Sequence, residues 1–159
     1  MSLEEFLKDK YVSDVKYETG NGKDHKIVLV LKNKSHTIVD NLPLLKDICE
    51  EVKNYLQSCL VLYAKADCCS ESWFEELEYE LPFAHLIGTT INKITQTNEQ
   101  VDLPPSNRQE YDQNTIIRIN YDNDQTFDFI LINSSNGYYS GWLDIYMYDT
   151  LEETPRMYY

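Results

Sequence analysis

An adjacent pair of cysteines, Cys68 and Cys69, is the feature of this sequence with the clearest chemical potential. A thiol becomes a nucleophile when a base lies beside it, and such a base, for example His85, can be distant in the sequence. Acidic surroundings disfavour the thiolate, and the residues around the pair are rich in carboxylates. A structural turn after a strand is therefore the favoured interpretation, and a thiol enzyme remains as an alternative.

The other reactive side chains form no recognised catalytic or metal-binding motif. The sequence contains no glycine-rich phosphate loop, no H-E-x-x-H zinc motif and no G-x-S-x-G nucleophile motif. Cys49 and Cys59 fall among apolar residues and do not have the spacing of zinc ligands, so they are typical of small core side chains. We therefore expect a protein without enzymatic activity, with no catalytic residues, no metal ion and no cofactor.

The charge of the chain is concentrated in its second part. Residues 1–66 contain ten acidic and ten basic side chains, whereas residues 67–159 contain seventeen acidic and four basic ones, so this part carries the whole net charge of -13. Such a field repels nucleic acid and anionic membranes and attracts basic proteins. A well-solvated surface without a specific role is the alternative. The sequence thus predicts a basic protein partner, and neither nucleic acid nor a membrane.

Acidic and aromatic residues of the second part supply the predicted contact surface for that partner. Carboxylates complement a basic surface, and tyrosines frequently anchor protein interfaces. Trp142 is a further candidate anchor, although a core position is favoured for so large an apolar ring. The predicted partner-binding residues are Glu71, Glu75, Glu76, Glu78, Glu80, Asp122, Asp124, Tyr138 and Tyr139.

Strand patterns dominate the elements that must position these residues. The densest is Phe127 to Tyr148, where a β-forming run, a turn at Asn136-Gly137 and a second alternating strand follow one another. A capping box at Ser2 predicts a short helix to about residue 10, and apolar residues at helical spacing predict an amphipathic helix over 43–57. Other strands are predicted at 12–19, 25–32 with a hairpin partner at 36–39, 59–66, 89–97, 115–121 and 126–132. The predicted fold class is α+β, a mainly antiparallel twisted sheet or sandwich of seven to nine strands with two helices.

The chain length favours a single domain over residues 1–159. Within it, similar patterns suggest an internal duplication, with repeated units at 25–77 and 115–148, each made of a hairpin, a further strand, a doublet, a serine and a tryptophan. Chance similarity between two β-rich segments is the alternative. No apolar run reaches the 18 residues or so that a membrane span requires, and the acidic first residues are unlike a signal peptide. These features predict a soluble, cytoplasmic protein.

Two motifs carry a resemblance to known families. The stretch A-D-C-C-S-E-S-W (66–73), followed by L-I-G (86–88), Ile91 and Ile94, resembles small uncharacterised bacterial and phage domains with a D-C-C-[SE] turn before an L-I-G-x-x-I segment. The stretch S-N-G-Y-Y-S-G-W (135–142) resembles immunity proteins of contact-dependent growth inhibition and related polymorphic toxin systems. This resemblance implies a protein that binds and neutralises a cognate toxin, often a nuclease, and it brings no catalytic residues. The rival interpretation is a phage-type acidic nucleic-acid mimic that inhibits a DNA-binding enzyme.

Overall fold

Nine strands and a five-residue α-helix make up most of the regular structure in the computed structural model, which describes residues 2–20, 24–34, 57–67, 69–75, 82–98, 104–137, 139–148 and 156–158. In chain order the elements are α1 (Leu3–Leu7), β1 (Lys10–Gly20), β2 (Asp24–Asn33), β3 (Gln57–Ala66), β4 (Glu71–Glu75), a 3-10 helix (Pro82–Leu86), β5 (Ile91–Thr97), β6 (Tyr111–Tyr121), β7 (Gln125–Ser135), β8 (Gly141–Tyr148) and β9 (Arg156–Tyr158).

The strands form two antiparallel sheets that share one hydrophobic core. The five-stranded sheet has the order β1-β2-β3-β8-β9, and the four-stranded sheet has the order β4-β7-β6-β5. Side chains alternate between the two faces of a strand, so each sheet presents one apolar face to the other. Leu29 and Leu62 from the first sheet and Ile117 and Phe129 from the second are fully buried in the same cluster. The arrangement is a β-sandwich.

The short helix at the start of the chain begins as the sequence predicts. The Ser2 hydroxyl accepts a hydrogen bond from the backbone N–H of Glu5, and the Glu5 carboxylate accepts one from the backbone N–H of Ser2. This capping box leaves Leu3, Phe6 and Leu7 on one side of the helix, where all three are buried in the shared core. The helix therefore covers one end of the sandwich.

Two connections carry the chain from one sheet to the other. β3 lies in the five-stranded sheet, and β4, which follows it, pairs with β7 in the four-stranded sheet. The reverse happens later, because β7 lies in the four-stranded sheet and β8 pairs with β3. The segment from Phe127 to Tyr148 is thus a crossing between sheets, with its two strands in different sheets.

The proposed repeated units, 25–77 and 115–148, each contain two neighbouring antiparallel strands and a third strand that crosses to the opposite sheet. At the offset of 70 residues that the sequence suggests, however, the matched side chains lie on different faces. Leu60 and Leu62 belong to the central core, whereas Ile130 and Ile132 pack with Trp73 on the outer face of the four-stranded sheet. The duplication remains a prediction at the level of strands.

The mainly antiparallel sandwich of seven to nine strands is confirmed, but the predicted α+β class is not. The described residues are mainly β, with α1 as their single α-helix, so they do not form an α+β fold with two helices. The predicted helix over 43–57 lies outside the described residues, except Gln57, which begins β3. The hairpin partner of β2 is β1, and the predicted partner at 36–39 is likewise outside them. No helix in the described part is long and apolar enough to cross a membrane.

Candidate functional site

The two motifs that stand out in the sequence meet where the chain crosses between sheets. The backbone N–H of Asp67 donates to the Ser140 carbonyl at 3.0 Å, and the N–H and hydroxyl of Ser140 donate to Asp67 Oδ2 at 3.3 and 3.4 Å. The N–H and hydroxyl of Ser70 both donate to the Asp67 carbonyl at 3.1 Å. We call residues 67, 69–72, 133–137, 140 and 141 the crossover junction.

A buried amide organises the centre of the crossover junction. Asn133 is 3% exposed, and its Nδ2 lies within hydrogen-bond distance of Ser72 Oγ (3.0 Å), Ser70 Oγ (3.2 Å) and the Glu71 carbonyl (3.2 Å). Gly141 lies against the same groups, since a Cβ there would be 2.1 Å from Ser72 Oγ and 2.5 Å from Asn133 Nδ2. These polar groups bond to one another and so hold the two segments of the junction together, an arrangement that we call a structural clasp.

The exposed thiol of Cys69 does not face His85. The Cys69 carbonyl accepts from Gln109 Nε2, and the Gln109 N–H donates to Ser134 Oγ, which places Cys69 at the end of β7. The His85 ring contacts Phe127 near the start of β7, with 4.9 Å between ring centroids. Seven residues of strand correspond to roughly 23 Å, so these two side chains cannot act as a nucleophile and base. Cys68 lies outside the described residues.

Metal ligands are not gathered at the crossover junction or elsewhere in the described ranges. No group of three or more histidine, cysteine, aspartate or glutamate side chains within them is placed to hold a metal ion.

The outer side of β4 carries two of the predicted contact residues. β4 is an edge strand whose Glu71, Trp73 and Glu75 alternate with the buried Ser72 and Phe74, so these three residues share the outer face. Trp73 Nε1 donates to Glu75 Oε2 at 3.4 Å. We call Glu71, Trp73 and Glu75 the β4 edge.

An arginine from a distant part of the chain covers the β4 edge. The Arg108 guanidinium lies over the Trp73 ring, with Cζ 3.9 Å from the ring centroid, and its Nη1 is 3.3 Å from Glu71 Oε2. Cation–π stacking and the ion pair together explain why Trp73 is only 7% exposed on an outer face. The Glu71 charge is therefore already paired, whereas Glu75 accepts a bond from the neutral indole.

Hydrogen bonds to Asp112 hold the segment that presents Arg108. The N–H and hydroxyl of Ser106 each donate to the Asp112 carboxylate at 2.7 Å. Partial burial acts to raise the pKa of Asp112, but the bonds from Ser106 and from the Ser134 side chain outweigh it and lower the pKa below its ordinary value of 3.8. The ionised carboxylate thus fixes the segment against the sheet.

The other predicted acidic pair lies at the opposite end of the four-stranded sheet. Asp122 and Asp124 form the turn between β6 and β7, and Asp122 Oδ1 accepts from the Thr90 N–H at 3.0 Å. Asp122 and Asn123 have positive φ angles of 49° and 69°. The turn borders a cleft of about 470 Å³ between the ends of the two sheets, which is lined by Glu4, Leu7, Lys8, Asp9, Lys34, Thr90, Ile91, Asn92, Asp122 and Asn123.

The predicted contact residues therefore do not converge on one patch. Glu75 pairs in register with Ile130, five residues of β7 from the turn, a separation of roughly 17 Å. Tyr139 is 39% exposed and precedes Ser140, so it lies beside the crossover junction. Four further predicted residues, Glu76, Glu78, Glu80 and Tyr138, lie outside the described residues.

Trp142 is the residue that sequence reasoning placed wrongly. The sequence favours a core position for this ring, but in the structure it is 41% exposed on the outer face of the five-stranded sheet. The signal lies in the alternation along β8, because Leu143, Ile145 and Met147 are buried and Trp142 points to the other face.

The chain matches a known family over most of its length. The model of a family described as "Domain of unknown function (DUF7448)" matches residues 7–145, which include β1 to β7, most of β8 and the whole crossover junction. The chain belongs to the DUF7448 family. It is also 47% identical over 88 residues to "Uncharacterized protein L278" of Acanthamoeba polyphaga mimivirus, across 55% of this chain and 68% of that protein. No solved structure gives a significant match.

These comparisons correct the family resemblance inferred from the two motifs. The DUF7448 match and the mimivirus relative point to a viral family, so both inferred resemblances, to small bacterial and phage domains and to immunity proteins of contact-dependent growth inhibition, are wrong. Within this DUF7448 domain the two motifs contact each other in one structural clasp. Short stretches that make a turn and a strand crossing can look alike in unrelated proteins, because the same local geometry selects the same small and polar residues.

Proposed function

We propose that this DUF7448 domain is a non-enzymatic inhibitor that binds a basic, nucleic-acid-handling protein through its exposed carboxylates and uses no cofactor. The observation that carries the proposal is the charge of the surface between residues 67 and 148. Seven carboxylates of the described residues are exposed there, namely Asp67, Glu71, Glu75, Glu110, Asp112, Asp122 and Asp124. Both arginines described in this range, Arg108 and Arg118, are held in ion pairs. Carboxylates thus dominate the free charge of this range, which favours a basic partner.

The β4 edge, together with Tyr139, is the proposed centre of the contact. Glu75 offers a carboxylate bonded to the Trp73 indole, and Tyr139 offers a half-exposed ring beside the crossover junction. Standard protein interfaces bury about 800 Å² on each partner, a footprint roughly 30 Å across. Asp122 and Asp124, at the opposite end of the four-stranded sheet, lie outside a footprint of this size and would form a second contact. The proposal also includes four residues on the basis of the sequence alone, namely Glu76, Glu78, Glu80 and Tyr138.

Two forms of the activity fit this surface. In one form the domain neutralises a single cognate toxin nuclease, and in the other it mimics nucleic acid and inhibits several DNA-binding enzymes. The mimivirus relative favours the second form, because a viral protein encounters many host enzymes with basic clefts. The proposed location is the cytoplasm, where such enzymes meet their substrates.

Inhibition assays with defined basic proteins test the proposal. We expect the domain to inhibit pancreatic ribonuclease or a type II restriction endonuclease at a 1:1 ratio, less strongly at high salt, and to leave the basic protein lysozyme unbound. Inhibition of several enzymes indicates the mimic, and inhibition of one indicates a cognate pair. Glu75→Lys should weaken binding by about tenfold, which corresponds to about 1.4 kcal/mol.

Asp14→Lys is the matched control for charge, since Asp14 is exposed on β1 in the other sheet. It changes the net charge equally and should leave inhibition unchanged. The mimic form fails if no enzyme of the panel is bound, and the proposal as a whole fails if lysozyme is bound as tightly as the nucleases or if the two substitutions weaken binding equally.

A further inference from the structure

A row of aromatic side chains lies on the outer face of the five-stranded sheet. Trp142, Tyr146 and Tyr148 alternate with the buried residues of β8, and Tyr63 lies beside them on β3, where its ring meets the Tyr146 ring edge-on at 6.4 Å. Trp142 and Tyr148 are each 41% exposed. We call Tyr63, Trp142, Tyr146 and Tyr148 the aromatic face. It is separate from the β4 edge, which belongs to the other sheet.

Charged groups of both signs lie among these rings. Lys65 Nζ lies 3.9 Å and Lys26 Nζ 4.7 Å from the centroid of the Tyr63 ring. In the strand register Lys65 is opposite Trp142, and Asp144 is opposite Tyr63. Two ammonium donors and one carboxylate acceptor are therefore fixed within the aromatic face.

Asp144 is the member of this group whose bonding points to a ligand. It is 9% exposed, and among the described residues its carboxylate accepts one hydrogen bond, from the Tyr146 hydroxyl to Oδ2 at 3.3 Å. A carboxylate has about four acceptor positions, so Asp144 can accept further hydrogen bonds from a ligand that donates them.

We propose that the aromatic face binds a neutral saccharide. The charge of the protein decides the class of ligand, because a net charge of -13 repels anions and the two lysines at the face repel cations. A sugar ring is uncharged, its C–H faces stack on aromatic rings, and its hydroxyls both donate to Asp144 and accept from Lys65. Binding sites in general combine apolar and aromatic walls with a few placed polar groups, as this face does.

The length of the face favours an oligosaccharide. Trp142 and Tyr148 are six residues apart on β8, a distance of roughly 20 Å. One sugar ring cannot touch both, whereas a chain of several rings laid along β8 reaches both exposed rings and passes over Asp144. Single-stranded nucleic acid would use the same rings, but its phosphates meet the repulsion of the whole molecule.

Titration calorimetry with the whole chain and defined oligosaccharides tests the proposal. The probes are cellohexaose, maltohexaose, xylohexaose and mannohexaose, with a printed array of neutral glycans to widen the search and oligothymidylate and polyglutamate as anionic rivals. We expect at least one neutral saccharide to bind, with a change in Trp142 fluorescence. Trp142→Ala and Asp144→Asn should each weaken binding by about tenfold, as expected for one stacked ring or one charged acceptor.

Tyr17→Ala is the matched control, because Tyr17 is 52% exposed on the same sheet but belongs to the opposite face in register with Ile27. It should bind like the unchanged protein, and circular dichroism of each variant confirms folding. The proposal is overturned if no neutral glycan binds, if oligothymidylate or polyglutamate binds more tightly than every saccharide, or if Trp142→Ala binds as well as Tyr17→Ala.

Discussion

Asp67 and Ser140 are 73 residues apart in the chain, yet they are joined by three hydrogen bonds between their backbone and side-chain groups. Asp67 follows β3 and Ser140 precedes β8, so the pair lies where the chain leaves and re-enters the five-stranded sheet. Because β3 and β8 are also paired strands, these bonds extend their ladder into the loops. The bonds therefore fix the point where the first crossing begins and the second one ends.

Replacing Asp67 by alanine should lower the free energy of unfolding by about 1 kcal/mol, because Ser140 loses the acceptor of two hydrogen bonds. Asp67→Asn keeps an acceptor oxygen and should cost less. Urea denaturation at neutral pH measures both values. Asp14→Ala serves as the control, since Asp14 also accepts a backbone bond, from Val15, away from the junction. An Asp67→Ala protein no less stable than this control would show that the bonds do not secure the crossing.

Gly141→Ala should destabilise the fold by about 1–3 kcal/mol, the usual cost of overpacking. The new methyl group would lie 2.1 Å from Ser72 Oγ and 2.5 Å from Asn133 Nδ2, and neither side chain can move without breaking the bonds of the buried amide. Thermal unfolding measures the loss. The double variant Gly141→Ala/Ser72→Ala removes the nearest clashing atom and should recover part of the stability. If the double variant loses the sum of the two single losses, the clash is not the cause.

Features that depend on neighbouring residues could be predicted from the sequence. The capping box joins Ser2 to Glu5, three residues apart, and the turn from Asp122 to Asp124 joins two adjacent strands. Both were predicted because residue type alone determines such local geometry. The pairing of β6 with β7 follows from that turn and is confirmed.

The choice of sheet could not be predicted in the same way. Asn136-Gly137 is typical of a hairpin, but β7 ends in Asn133 and Ser134, whose side chains bond to Ser72 and to Gln109. These partners lie 61 and 25 residues away in the chain, and the hydrophobic periodicity of the sequence does not predict contacts over such separations. These contacts hold the end of β7 in the four-stranded sheet, so the chain crosses to the five-stranded sheet before β8.

The acidic contact surface shows the same limitation. The sequence gives the number of carboxylates in a segment, but the free charge depends on which cations reach them. Arg108 pairs with Glu71 from 37 residues away, so the predicted charge at Glu71 is already neutralised. Glu75 in the same strand has no such pairing among the described residues. The number of charged residues therefore predicts the sign of the surface charge but not which carboxylates are left without a cation.

Asp112→Asn should lose stability at neutral pH and match the unchanged protein in acid. The pKa of Asp112 is lower in the folded chain than the ordinary value of 3.8, because Ser106 and Ser134 bond to the ionised carboxylate more strongly than burial opposes it. A lowered pKa contributes stability above the ordinary value, and the contribution is lost as the pH falls through the lowered value. Unfolding by urea from pH 7 down to pH 2.5 or so follows this loss.

The variant Ser106→Ala is the control for the cause of this shift. It removes one of the two bonds that Ser106 donates and should bring the Asp112 pKa closer to 3.8, measured by carboxyl carbon shifts in nuclear magnetic resonance. A stability gap between Asp112→Asn and the unchanged protein that persists at the lowest pH would mean that the carboxylate charge is not what matters.

Arg108→Ala should expose the Trp73 ring, on the β4 edge, to water. The guanidinium lies 3.9 Å from the ring centroid, and such a stack contributes about 1 kcal/mol. In a Trp142→Phe background Trp73 is the sole tryptophan, so its emission reports the change directly. We expect a red shift and stronger quenching by acrylamide. Arg108→Lys keeps the charge without the planar group and should give an intermediate shift.

Arg118→Ala is the matched control for this last experiment. Arg118 is also an arginine on the four-stranded sheet, and its guanidinium pairs with Asp128 through two bonds of 2.8 Å. Its loss should leave the emission unchanged, because the Arg108 stack stays intact. An equal red shift in both variants would mean that the sheet as a whole has loosened, and an unchanged emission in Arg108→Ala would mean that other groups shield the ring. The predicted contrast between the two arginines thus isolates the stack as the cover of Trp73.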